Sequence, residues 1–147
     1  MKKLLTTLVL SAVLAASVNA ANKVNGQSKA AAQTDHKTML MKDMRTMLDA
    51  MEQIQRGGLY SSTEDMKAGV KKLQGTLKSL ESEEVKWILP KDQVYAYQFA
   101  QKSASMLRLY SNDMIVSIEA GRMDDALEDY NQLLKQCTSC HIRIRNW

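Results

Sequence analysis

One proline in 147 residues, one phenylalanine, two cysteines and two histidines leave this sequence short of what many folds and sites require. No stretch alternates apolar and polar residues as a half-buried strand does, so a β-sheet fold is not expected. Two cysteines cannot form a disulfide framework, and a bond between them would close only a tiny loop. A zinc site would want more ligands near the cysteines, and the other histidine, His36, lies far from them in the sequence. Aromatic residues make up 5% of the chain, which leaves room at the centre of a core for something flat and apolar. Lys and Arg number 20 against 16 Asp and Glu. That balance, without a clustered basic patch, gives no reason to expect nucleic acid. No acid, base and nucleophile stand together, so the chain is not read as an enzyme.

The first twenty residues, MKKLLTTLVLSAVLAASVNA, have the pattern of a secretory signal. Lys2 and Lys3 are its charged start. Residues 4–16 are an apolar run too short to span a bilayer, and Val18-Asn19-Ala20 offers small residues for cleavage. No cysteine follows the run, which argues against a lipid anchor. Cleavage would bring the net charge of +4 to +2 by removing two lysines, and would leave no membrane span. The expected location is the periplasm, where thiols tend to be oxidised, bound or modified. Residues 21–33 read as a flexible linker whose alanine run can extend the following helix. Residues 34–147 form one domain.

Four amphipathic stretches follow. Residues 35–56 carry Leu40, Met44, Met47, Met51 and Ile54 at steps of three and four, with Gly57-Gly58 as the expected stop. The second stretch begins at Ser61, where Ser61 and Glu64 fit a capping box, and carries Met66, Val70, Leu73, Leu77 and Leu80. Its Gly69 and Gly75 weaken it or permit close packing. Trp87, Ile88 and Leu89 are expected to fold back over one end of the core, and Glu81 to Glu84 to form a solvated turn. Residues 91–120 carry Val94, Phe99, Met106, Leu107, Tyr110, Met114 and Ile118 inward, and Gly121 stops them. The last stretch begins near Met123 with Asp124 and Asp125 at its positive end. Its stripe is Ala126, Tyr130, Leu133, Cys137, Cys140 and Ile144. Long helices with short connections and one apolar face each predict an all-α, antiparallel four-helix bundle.

Both cysteines belong to the closing segment KQCTSCHIRIRNW. Cys137-Thr138-Ser139-Cys140-His141 is a C-x-x-C-H sequence, which reads as covalent c-type haem attachment. Thiols three residues apart lie on one helix face and can each add to a haem vinyl group. His141, one turn beyond Cys137, can bring its imidazole beneath the iron. Spacings of seven link Tyr130 to Cys137 and Leu133 to Cys140, so the attachment site continues the buried stripe. A thioredoxin-type C-x-x-C would need a βαβ setting that is absent. The expected cofactor is one haem c per chain.

These residues resemble the class II c-type cytochromes, comprising cytochrome c′ and its low-spin relatives of the c556 type. Family members carry the C-x-x-C-H motif in the last of four helices, near the C-terminus. Their pattern continues with an aromatic or apolar residue and an arginine, matched here by Ile144 and Arg145. The family also has a basic residue, then the side chain over the distal haem face four residues later, then a glycine closing the helix. Lys37, Met41 and Gly57 have that order and spacing. The resemblance implies Met41 as the sixth iron ligand, with Met44 next in line. It also places a homodimer surface on the first two helices. Lys37 and Arg145 read either as partners of the haem propionates or as solvated charges.

With both axial positions filled, the expectation is a periplasmic carrier of single electrons that meets redox partner proteins. Arg143 and Arg145 offer a docking surface to an acidic one. The alternative, if Met41 turns away, is a cytochrome c′-like protein that binds small gases such as nitric oxide or carbon monoxide. His36 reads as a solvated residue at a helix start, and Tyr95 and Tyr97 as packing residues.

Overall fold

A computed structural model describes residues 3–89 and 95–145, and side chains from residue 31 to residue 144 apart from 90–94. The chain divides into two compact units, Met1–Asp35 and His36–Trp147. All the site residues belong to the second. Four helices and a 3₁₀ turn make up the described structure, and no strand occurs among the described residues. The helices are α1 (Lys3–Leu59), α2 (Thr63–Glu81), α3 (Ala96–Glu119) and α4 (Met123–Arg145), with the turn at Glu83–Trp87. Residues 21–33, expected as a linker, are helical within α1, in keeping with their alanine content. Among the described residues no helix is long and apolar enough to cross a membrane.

The stop of α1 differs from the expectation. Gly57 and Gly58 lie inside the helix, which continues to Leu59. The terminator is Ser61, whose φ of 57° is left-handed. Ser62 N–H donates to the Gly57 carbonyl at 2.8 Å and Ser61 N–H to the Gly58 carbonyl at 3.3 Å. This is a Schellman closure with serine where glycine is usual. Consequently the cap of α2 is shifted by one residue. Ser62 is the N-cap, and its hydroxyl accepts from Asp65 N–H at 3.3 Å.

Gly57 serves packing instead of termination. A Cβ there would meet the Met66 Cγ and backbone N at 2.7 Å and the Ser62 carbonyl at 2.9 Å. Gly69 of α2 is equally tight, against Ile54 Cγ1 at 2.7 Å and the Ala50 carbonyl at 2.9 Å. Two glycines, one on each helix, thus let α1 and α2 touch backbone to side chain. Gly75, by contrast, faces open space.

The second unit has one core, and the expected apolar stripes supply most of it. The stripe of α2 is wholly buried, from Met66 to Leu80. On α3 the buried face is made largely of small residues, namely Ala96, Ala100, Ser103, Ala104, Ser111 and Ser117. With them α3 packs against both α2 and α4. Val94 and Lys91 lie outside the described residues. Gly121 (φ 71°) closes α3 as expected, with Arg122 N–H donating to the Ser117 carbonyl at 2.9 Å.

Between α2 and α3 the expectation needs two corrections. Trp87 does not cover the core; it is 59% exposed, and Val85 is buried in its place, while Leu89 packs against the core as expected. The 3₁₀ turn puts Val85 inward and Trp87, two residues on, outward. The glutamates of this region are not merely solvated. Glu81 takes both Nε and a terminal nitrogen of Arg108 at 2.7 and 2.8 Å, clamping α2 to α3. Glu84 pairs with His36 Nδ1 at 3.1 Å, so His36 is half-buried against the turn and not a solvated residue.

The two adjacent glycines generate a paired prediction. Gly57→Ala should lower the stability of the domain by about 1–3 kcal/mol, because the overpacked atoms include backbone. Gly58→Ala has nothing within 4 Å of its new Cβ and should raise stability by up to about 1 kcal/mol through helix propensity. Urea unfolding midpoints at constant m-value measure both.

Candidate functional site

The closing motif lies on α4, which is helical through Arg145. Cys137 and Cys140 are both half-buried, pack against the core and are free thiols. Their register with Leu133 and Ile144, both buried, follows from the helical period of the stripe. His141 is half-buried beside them.

These three residues open onto one cavity. From α4 it is lined by Leu134, Gln136, Cys137, Cys140 and His141, and from α1 by Met44, Met47, Leu48 and Met51. Leu80 of α2 and Ser103 and Leu107 of α3 complete it. All four helices therefore contribute. The cavity holds about 150 Å³, and about 680 Å³ of atom-free space when its mouth to solvent is counted. Its walls are thioethers and leucines. Among the described residues no carboxylate, lysine or arginine lines it.

The burial has a chemical consequence. The thiol of Cys137 is pushed up to about 11, first by desolvation and then by its neighbour Cys140. Burial also raises Cys140, while the hydroxyl of Ser103, hydrogen-bonded to it, acts in the opposite sense. At neutral pH both are therefore protonated thiols in an apolar setting, far from the low-pKa thiolates of redox-active cysteines.

The remaining candidates are placed as follows. Met41 is 49% exposed and does not line the cavity, whereas Met44, one turn on, does. Lys37 is an exposed residue of α1. The side chain of Arg145 lies outside the described residues. Arg143 stacks its guanidinium over Phe99 of α3 at 4.8 Å, a contact that ties the end of α4 to α3. Tyr97 likewise packs beneath the Lys86 ammonium at 4.4 Å, but Tyr95 is exposed. Ser103 escaped notice in the sequence because it is polar. Its signal was the spacing of Ala96, Ala100, Ser103, Leu107, Ser111 and Met114 along one face.

A haem fits this set of residues. Two thiols and an imidazole share one helix face, and apolar walls with thioethers face them. The same donors are too few to close the shell of a bare ion. Among the described residues no group of three or more His, Cys, Asp or Glu is arranged to hold one. No family profile, no curated protein and no solved structure matches this chain.

The thiol environment predicts reactivity in the haem-free protein. At pH 8 a thiol titrating near 11 has ~100-fold less thiolate than one titrating near 9. Iodoacetamide should therefore modify Cys137 ~100-fold more slowly in the folded apoprotein than in the urea-unfolded chain. Peptide mapping of quenched samples reads that ratio.

Proposed function

We propose that this protein is an exported c-type cytochrome that carries single electrons. The observation that supports it most directly is the opening of Cys137, Cys140 and His141 onto one apolar cavity walled by all four helices. In this reading the helices run antiparallel, as three-residue turns at 60–62 and 120–122 favour.

Cys137 and Cys140 would hold haem c through thioether bonds, and His141 would ligate its iron. A methionine of α1 would be the second side chain to hold the iron; the resemblance to class II cytochromes implies Met41 for that role. When bound, haem c supplies a one-electron iron couple. The protein's own residues do the rest. Thioether ligation favours reduced iron and raises the potential. Leu80 and Leu107, both buried, exclude water and lower the local dielectric, which penalises the more highly charged oxidised state. Ser103 brings a hydroxyl into that wall, next to Cys140. Lys37 and Arg145 are positioned in sequence to neutralise propionates.

Export to the periplasm follows from the signal-like residues 1–20 and suits covalent haem attachment. The partners are redox proteins of that compartment. A second reading, small-gas binding of the cytochrome c′ kind, is favoured by one observation, the exposure of Met41 outside the cavity. It requires that no side chain of α1 reach the iron.

Expression with a c-type maturation system tests the proposal. The wild type should keep its haem colour through denaturation and acid–acetone extraction. The double variant Cys137→Ala/Cys140→Ala should lose all of it. Loss of colour from the wild type under the same treatment would refute covalent attachment. A low-spin spectrum in both oxidation states supports electron transfer, and a high-spin one supports gas binding.

A further inference from the structure

We infer that Met44, not Met41, is the axial ligand opposite His141; the assignment rests on the haem reading given above. Five methionines lie between residues 39 and 51, and the structure sorts them into three kinds. Met39 and Met41 are about half exposed, at 51% and 49%, and neither lines the cavity. Met47 and Met51 line it but are core residues, buried to 5% and 7% exposure. Their side chains are already enclosed by packing. Met44 alone both lines the cavity and stands outside the buried core, packed against its edge.

Position within the cavity points the same way. Among the described residues, Met44 is the first of α1 to line it, and His141 the last of α4. For antiparallel helices, first and last share one end of the space between them. The imidazole and this thioether therefore face each other across the same end. Side-chain direction separates the neighbours further. A helical side chain leans toward the N-terminus of its own helix. From Met41 that direction leads away from the cavity-lining part of α1, which begins three residues later. A flexible thioether at the edge of the packing can also adjust to a ligand's geometry at little cost.

The test uses the covalent holoprotein. Met41→Leu and Met44→Leu are nearly volume-conserving, and far-ultraviolet circular dichroism checks that each folds. Met44→Leu should abolish the sulfur-to-iron charge-transfer band of the oxidised protein and convert the iron to a high-spin form that binds carbon monoxide without displacing a ligand. Met41→Leu should leave the band and the low-spin spectrum unchanged. Nuclear magnetic resonance gives an answer that does not need Met44→Leu to fold. In reduced protein labelled at its methionine methyls, one methyl should be shifted far upfield by the haem ring current, and it should persist in Met41→Leu. Disappearance of that methyl in Met41→Leu, or low-spin iron in a folded Met44→Leu, would overturn the assignment. High-spin iron in the wild type would also overturn it while leaving the haem reading intact. A wild type without covalent haem would overturn both.

Discussion

The register of α4 is the constraint on which the rest depends. Ala126, Leu133 and Ile144 are buried by the packing of α4 against α3, and that contact fixes the rotation of the helix. Once it is fixed, Cys140, seven residues past Leu133, and Cys137, seven before Ile144, face inward, and His141 lines the cavity one turn past Cys137. A rotation of α4 by one residue, 100°, would break up the set, moving Cys140 to the place of His141 while Cys137 and His141 moved to the exposed places of Thr138 and Ile142. The Arg143–Phe99 stack and the Leu133 and Ile144 contacts hold the helix on both sides of the motif.

Why the cavity sits between α1 and α4 follows from side-chain size. Small residues along α3 allow α2 and α4 to close upon it, and the glycines 57 and 69 allow α1 to close upon α2. The α1 side facing α4 carries methionine and leucine instead. Such side chains fill irregular space without locking it. The bundle is thus densely packed on three of its sides and adaptable on the fourth, where the thiols open. A bound macrocycle there would meet polarizable sulfur and aliphatic carbon. The leucine and methionine side chains that line it give an environment of low dielectric, a lever on the balance between oxidation states of an iron centre.

Much of this was legible in the sequence because the apolar period of 3.6 residues is long and uninterrupted. The stripes of α2 and α4 were read residue by residue, and Gly121 closes α3 where expected. The errors have physical reasons. Gly57 and Gly58 look like a stop signal, but glycine also serves where two helices approach closely, and only the partner residue Met66 distinguishes these uses. The serine pair 61–62 was misread by one position because either hydroxyl can cap, and the left-handed φ of Ser61 decides between them. The buried serines and alanines of α3 were overlooked since pattern reading weights large apolar residues. Long-range pairs such as His36–Glu84 and Arg108–Glu81 leave no local trace. Among the site residues, the sequence motif marked Cys137, Cys140 and His141. The choice among the methionines turns on rotation and burial of α1, which register alone leaves open.

The central claim is that the terminal helix carries a porphyrin covalently inside the bundle. Intact mass spectrometry of the purified protein under denaturing conditions, after biogenesis in cells able to make c-type cytochromes, tests it most directly. The account predicts a single species heavier than the processed polypeptide by the mass of one haem. A species at the bare polypeptide mass, with both thiols open to alkylation once unfolded, would contradict it.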